Sequence, residues 1–230
     1  MKISKIIEYI LSLPKSVYVS FRLFSLKDAV KVPVLVRYNC SLLSLKGNVI
    51  ICHRGGGGKF AMLKVGFGMV GIFDKRYERS ILQIDGTIQI KGKCSFGQGA
   101  RICVAKDAVL ALGENFTNSA ECSIICTNRI DIGDNVVVSW NTTIIDTDLH
   151  KVENVNTNEL YEESREIIIG NNVWIGMGST VLKGCVIPTG CIIAANAVVT
   201  KVFITDNTIL AGNPAVEKKH GVTLHRSTRK

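Results

Sequence analysis

Aliphatic side chains recur at every sixth position over much of the chain. In "IGNNVWIGMGSTVLKGCVIPTGCIIAANAVV" the beat falls on Ile169, Ile175, Val181, Ile187, Ile193 and Val199. An earlier run carries it through Ile84, Ile90, Phe96 and Ile102, weakens at Ala108 and Glu114, and resumes at Ala120, Cys126, Ile132, Val138 and Ile144. Six matches neither the two-residue alternation of a strand nor the 3.6-residue period of a helix. It fits a chain that turns a corner every six residues and points one aliphatic side chain inward on each face. The predicted architecture is all-β: a parallel β-helix with three short faces per coil. Cys185 and Cys191, one period apart, then occupy equivalent rungs on neighbouring faces. Glycine and asparagine between the beats suit the corners, which need positive φ.

The phase slips between Ile144 and Ile169, 25 residues apart where 24 would keep it. The interruption, residues 146–166, is the polar "DTDLHKVENVNTNELYEESRE" and reads as a loop thrown out from the solenoid. His150 stands near its start, with Asp146 and Asp148 just ahead. Residues 1–60 form a lead-in: "MKISKIIEYILSLPKS" predicts an amphipathic helix, and "SLKDAVKVPVLVRYNC" short strands. "HRGGGG" (53–58) lacks the Lys-Ser/Thr of a phosphate-binding loop and reads as a turn. The solenoid is expected over 61–216. After Pro214 a short helix or a basic tail (217–230) is expected.

Composition narrows the function classes. The chain is 47% hydrophobic, yet it has no run of about 18 apolar residues, so no span is predicted to cross a bilayer. Lys2 and Lys5 precede an apolar patch, but Glu8 interrupts it, Pro14 follows and no small-x-small cleavage pattern comes next. A mature cytoplasmic protein is expected. Eight cysteines without a C-x-x-C pair read as buried thiols in a reducing compartment. The net charge of +9 is uneven. Residues 1–59 hold ten Lys and Arg against Glu8 and Asp28, and residues 217–230 hold five against Glu217, which leaves the centre acidic. Basic ends on an acidic middle argue against a nucleic-acid groove. They suit anionic lipid or phosphates, and so a place at the inner face of the membrane.

The repeats, the loop histidine in "SWNTTIIDTDLHKV" (139–152), "IIIGNNVWIG" (167–176), "NAVVTK" (196–201) and "AGNPA" (211–215) together resemble the hexapeptide-repeat acyltransferases. The likeness is greatest to the sugar O-acetyltransferases of bacterial capsule and O-antigen pathways. It covers about 84–216, with 60–83 a looser fit. It implies a left-handed β-helix homotrimer that moves an acetyl group from acetyl-CoA to a sugar hydroxyl, without a metal, at sites between subunits. By motif position His150 is the general base, a role that imidazole suits because its pKa lies near working pH. Asp148 or Asp146 would hold its tautomer, with Asp148 favoured. The Met177 N–H would meet the oxyanion. Trp174 lines the site or packs on the neighbouring chain, and Asn118 and Ser119 face the acceptor or simply polarise a corner. Ala195, Thr200 and Lys201 match cofactor positions. Relatives carry a basic residue two positions after the Pro of "AGNPA", where this chain has Val216, so Lys218 or Lys219 would reach the nucleotide instead.

Three other readings compete. The γ-type carbonic anhydrases share the coil but need three histidines at a metal, and this chain has only His53, His150, His220 and His225, one of them in the repeats. N-acylation of an aminosugar needs the same base. A non-catalytic scaffold would leave His150 and the cofactor-end motif without a purpose.

Overall fold

The computed structural model describes residues 2–52, 58–68, 70–74 and 77–225; His53 and all of "HRGGGG" except Gly58 lie outside them. Two- to five-residue strands stack in parallel into three sheets, one per face of a prism. The first face holds Val34–Val36, Leu63–Val65, Cys94–Phe96, Phe116–Asn118, Val137–Val138, Trp174–Ile175, Ile192–Ile193 and Thr208–Gly212. The second runs from Ser41–Leu45 to Val198–Val199, and the third from Asn48–Ile51 to Val186–Ile187. The first coil is therefore already built from residues 34–51, inside the expected lead-in, and the solenoid is longer than the repeat pattern suggests.

Burial follows parity. Along the strands from Ile81 to Ile145 the even-numbered side chains face inward; from Ile167 to Val199 the odd ones do. On the second face Leu82, Ile102, Ile124 and Ile144 stack at intervals of 20, 22 and 20 residues, and only Val181 and Val199 are 18 apart. The beat of six is literal in the later coils, whose two-residue strands each point one side chain inward. In the earlier coils most strands are four residues long and bury two, such as Ile88 with Ile90 and Leu110 with Leu112. A step of six there keeps landing on an inward position without landing on the equivalent rung. Asn141 and Asn196 turn corners at φ 56° and 58°, as corner asparagines should. Cys185 and Cys191 are both fully buried just ahead of strands on neighbouring faces, their thiols donating to Val199 O (3.1 Å) and Thr205 O (3.4 Å).

Each end of the stack carries a capping element. Helix α1 (Lys2–Leu23) lies across the first coil and presents Ser12, Ser16 and Ser20, all fully buried. Ser16 Oγ accepts from the Val36 N–H (2.9 Å), Ser12 Oγ accepts from the Tyr38 N–H (3.1 Å), and Lys15 Nζ donates to the Tyr38 and Cys40 carbonyls (2.5 and 2.6 Å). These are backbone groups of an edge that has no coil before it, so polar side chains are what the helix needs there. A one-turn helix, α2 (Leu26–Ala29), follows. At the other end the structure replaces the expected helix or tail with a strand. The chain reverses at the cis Asn213–Pro214 peptide, and Ala215–His220 pairs antiparallel with Thr208–Gly212, covering the free edge of the first face.

Candidate active site

The loop leaves the solenoid at the edge between the second and third faces. Its root is Asp146, fully buried, whose carboxylate accepts from the Thr127 N–H (2.8 Å), the Thr127 hydroxyl (3.1 Å) and the Asn128 N–H (2.9 Å) of the preceding coil. The Asp146 carbonyl accepts from the Arg165 N–H at 2.9 Å, which ties the outgoing limb to the returning one. The limbs stay joined through a Thr147–Ser164 bridge and the Asp148 N–H on the Glu163 carbonyl (2.9 Å), and the tip is a hairpin of Glu153–Asn154 with Glu159–Leu160.

His150 sits on the outgoing limb, exposed to solvent. Leu149 before it is held at φ 57°, with its N–H donating to Thr147 Oγ1 at 3.0 Å. That turn brings His150 Nδ1 to 3.2 Å from the main-chain carbonyl of Asp148. A carbonyl can only accept, so the contact places the proton on Nδ1 and leaves Nε2 bare. Neither aspartate carboxylate does this job, contrary to the sequence expectation. Asp146 is committed to Thr127 and Asn128 inside the coil. The Asp148 carboxylate turns the other way and pairs with Lys183 Nζ. Lys183 also donates to the carbonyls of Glu162 and Glu163, gripping both limbs. Its place follows from the register: Ile144 pairs with Val181, so Lys183 stacks one coil beyond Asp146. An open cleft of about 550 Å³ beside it is lined by Asp148, Glu159, Tyr161, Arg165 and Lys183.

Met177 belongs to a different edge, between the first and second faces. Ile175 pairs with Ile193, which puts Ala195 one coil beyond Met177, and the Asn196 N–H donates to the Met177 carbonyl (2.9 Å). The flanking Gly176 and Gly178 N–H groups are bonded to Ile193 O (2.8 Å) and Trp140 O (3.0 Å), whereas the Met177 N–H has no acceptor among the described residues. Trp174 lies on the first face just before this edge, its Nε1 donating to Ser139 Oγ at 3.0 Å. Ser119 is at the same edge two coils earlier. Asn118 does not face an acceptor: its side chain is turned into the coil, where Oδ1 accepts from the Gly97 N–H (2.7 Å).

The predicted residues therefore fall into two half-sites. His150, Thr200 and Lys201 occupy one edge, Lys201 resting 5.3 Å above the Phe203 ring. Ser119, Trp174, Met177 and Ala195 occupy or border the other, and Lys219 is exposed on the last strand. No described contact joins the half-sites. Sequence reasoning missed Lys183, together with Ser139 and Trp140, which stack over Gly176 and Met177; coil equivalence of "VVSWN" with "WIGMG" was the signal available. No three His, Cys, Asp or Glu side chains among the described residues converge as a metal site would require.

Comparison with known proteins places this geometry. Residues 166–201 match the family model described as bacterial transferase hexapeptide (six repeats). The galactoside O-acetyltransferase of Escherichia coli (strain K12) is 36% identical over 105 residues, 45% of this chain and 50% of that protein. The polysialic acid O-acetyltransferase of Neisseria meningitidis is 28% identical over 103 residues, 45% of this chain and 38% of that one. The chain thus spans about half the length, or less, of these curated relatives. The crystal structure of the polySia-specific acetyltransferase NeuO superimposes over 86% of each chain with a TM-score of 0.62 at 18% identity, a likeness of fold. The three-faced solenoid is a left-handed parallel β-helix, and residues 166–201 within it carry the repeats of the bacterial transferase hexapeptide model.

Proposed function

We propose that the protein is an acetyl-CoA-dependent O-acetyltransferase acting on a sugar hydroxyl during the synthesis of a bacterial surface polysaccharide, in the cytoplasm. The observation that carries the reading is the His150 ring, exposed at the loop root with Nδ1 held by a main-chain carbonyl and Nε2 free to accept a proton. The relatives named for O-acetylation of a galactoside and of polysialic acid support a sugar hydroxyl as the acceptor.

Acetyl-CoA, as the donor substrate, supplies the activated acetyl group. His150 Nε2 takes the proton of the sugar hydroxyl as its oxygen attacks the thioester carbon, and holds it as imidazolium until the departing sulfur accepts it. The unbonded Met177 N–H is the donor for the oxyanion. The small Ala195 one coil on leaves room for the pantetheine arm, and Thr200, Lys201 and Lys219 offer donors to its polar groups and phosphates. Because the two half-sites lie on different edges, one chain supplies the base and its neighbour the oxyanion donor. A homotrimer about a threefold axis repeats that junction three times. Its test is His150→Ala: acetyl transfer should fall by about 10²-fold or more, while stabilisation of the protein by CoA in a thermal melt persists. Near-normal turnover in that variant would overturn the assignment.

A further inference from the structure

Helix α1 is built with its apolar side outward. The face against the solenoid carries Ser12, Ser16 and Ser20, joined by Val19 and Leu23. The opposite arc displays Ile6, Ile7, Ile10, Val17, Tyr18 and Phe21, with Ile6 and Ile10 at 57% and 58% exposure. That arc contains no charged residue. The one acid of the helix, Glu8, is turned aside, its Oε1 2.6 Å from Nε of the buried Arg37. An exposed face of this kind on a helix with no polar outer side is an interaction surface.

Its position selects the partner. Ser12, Ser16 and Lys15 bond to the unpaired backbone edge of the first coil, so the apolar arc points away from the end of the prism, along the solenoid axis. Chains packed side by side through their edges leave that end uncovered, and a cyclic trimer would bring three such arcs to one plane. The surroundings are cationic. Lys5, Arg22, Lys27, Lys31 and Lys46, in the two packed helices, just after them or in the first coil, are exposed, and Leu26 of α2 and Val30 just after it add exposed apolar side chains. No helix among the described residues is long and apolar enough to cross a membrane. We propose that this end seats the protein on an anionic lipid surface, with α1 lying flat in the headgroup layer and the basic residues on lipid phosphates. The proposal goes beyond acetyl transfer and does not depend on it.

Co-sedimentation of the full chain with vesicles tests it. Binding to phosphatidylcholine vesicles carrying roughly 30% phosphatidylserine should exceed binding to phosphatidylcholine alone by about tenfold and weaken with salt. The double variant Ile10→Glu/Phe21→Glu alters two exposed positions and should lose about tenfold or more of the vesicle binding, with its circular dichroism and melting unchanged. Equal binding by the variant, or none by the wild type at low salt, overturns the proposal. So does a wild type with twice the assembled mass of the variant, which would mean that two assemblies cover these ends by pairing. Vesicle binding is read without acetyl transfer, so its failure and a failure of the catalytic reading are separate results.

Discussion

At the scale of single residues, the two aspartates ahead of His150 divide their work differently from what their spacing suggests. Asp148 touches the ring through its carbonyl, which Asn supplies equally well. Asp148→Asn should therefore keep turnover within about fivefold of wild type, the equivalent of about 1 kcal/mol lost with the Lys183 pair. Asp146→Ala removes the carboxylate that accepts from the Thr127 and Asn128 N–H groups, at about 1.5–3 kcal/mol per hydrogen bond to a charged group, and should lower both the melting temperature and turnover. Motif position singles out His150 as the candidate base, but which atom holds its ring depends on the left-handed turn at Leu149, and no residue type there announces one. The buried thiols allow a second forecast. Burial pushes Cys40 and Cys94 up to about 12, and Cys122 and Cys185 to about 11. The folded state therefore favours the neutral thiol. Its contribution is fully present below the ordinary thiol range and is lost as pH rises through that range toward 11–12. Denaturant midpoints under reducing conditions should be flat up to about pH 8 and fall above it.

At the scale of elements, the loop is rigid where it needs to be because Lys183 ties both limbs to the next coil. Lys183→Met should lower kcat by about tenfold, or 1.4 kcal/mol, and raise amide exchange across 148–164. The KM for acetyl-CoA and the solenoid's melting temperature should hold, and Lys183→Arg should recover part of the rate. The loop itself was legible, since its polar composition and the slip of phase both mark it. The clamp was not, because Lys183 lies 35 positions from Asp148 and meets it only through the coil register. The same register explains why the sixfold beat described the later coils well and the earlier ones only by parity. The lead-in strands of 34–51 lack the beat, yet they pair with the second coil along all three faces.

At the scale of the molecule, the proposed base on one edge and the proposed oxyanion donor on another would make activity a property of neighbours. Mixing His150→Ala chains with Met177→Pro chains, each inactive alone, should restore about a quarter of wild-type activity after subunit exchange, since one junction in four pairs an intact histidine with an intact N–H. Failure to recover any activity between folded, exchanged variants would place both groups in one chain's site. The coil count has a further consequence. Four strand spacings separate Ser41–Leu45 beneath α1 from Thr143–Ile145 at the loop root. At about 4.8 Å each they amount to roughly 19 Å. If one end of the stack rests on lipid as proposed, the solenoid would act as a ruler: the His150 ring would ride at a set height above the bilayer, and only acceptor sugars held at that height would come within its reach.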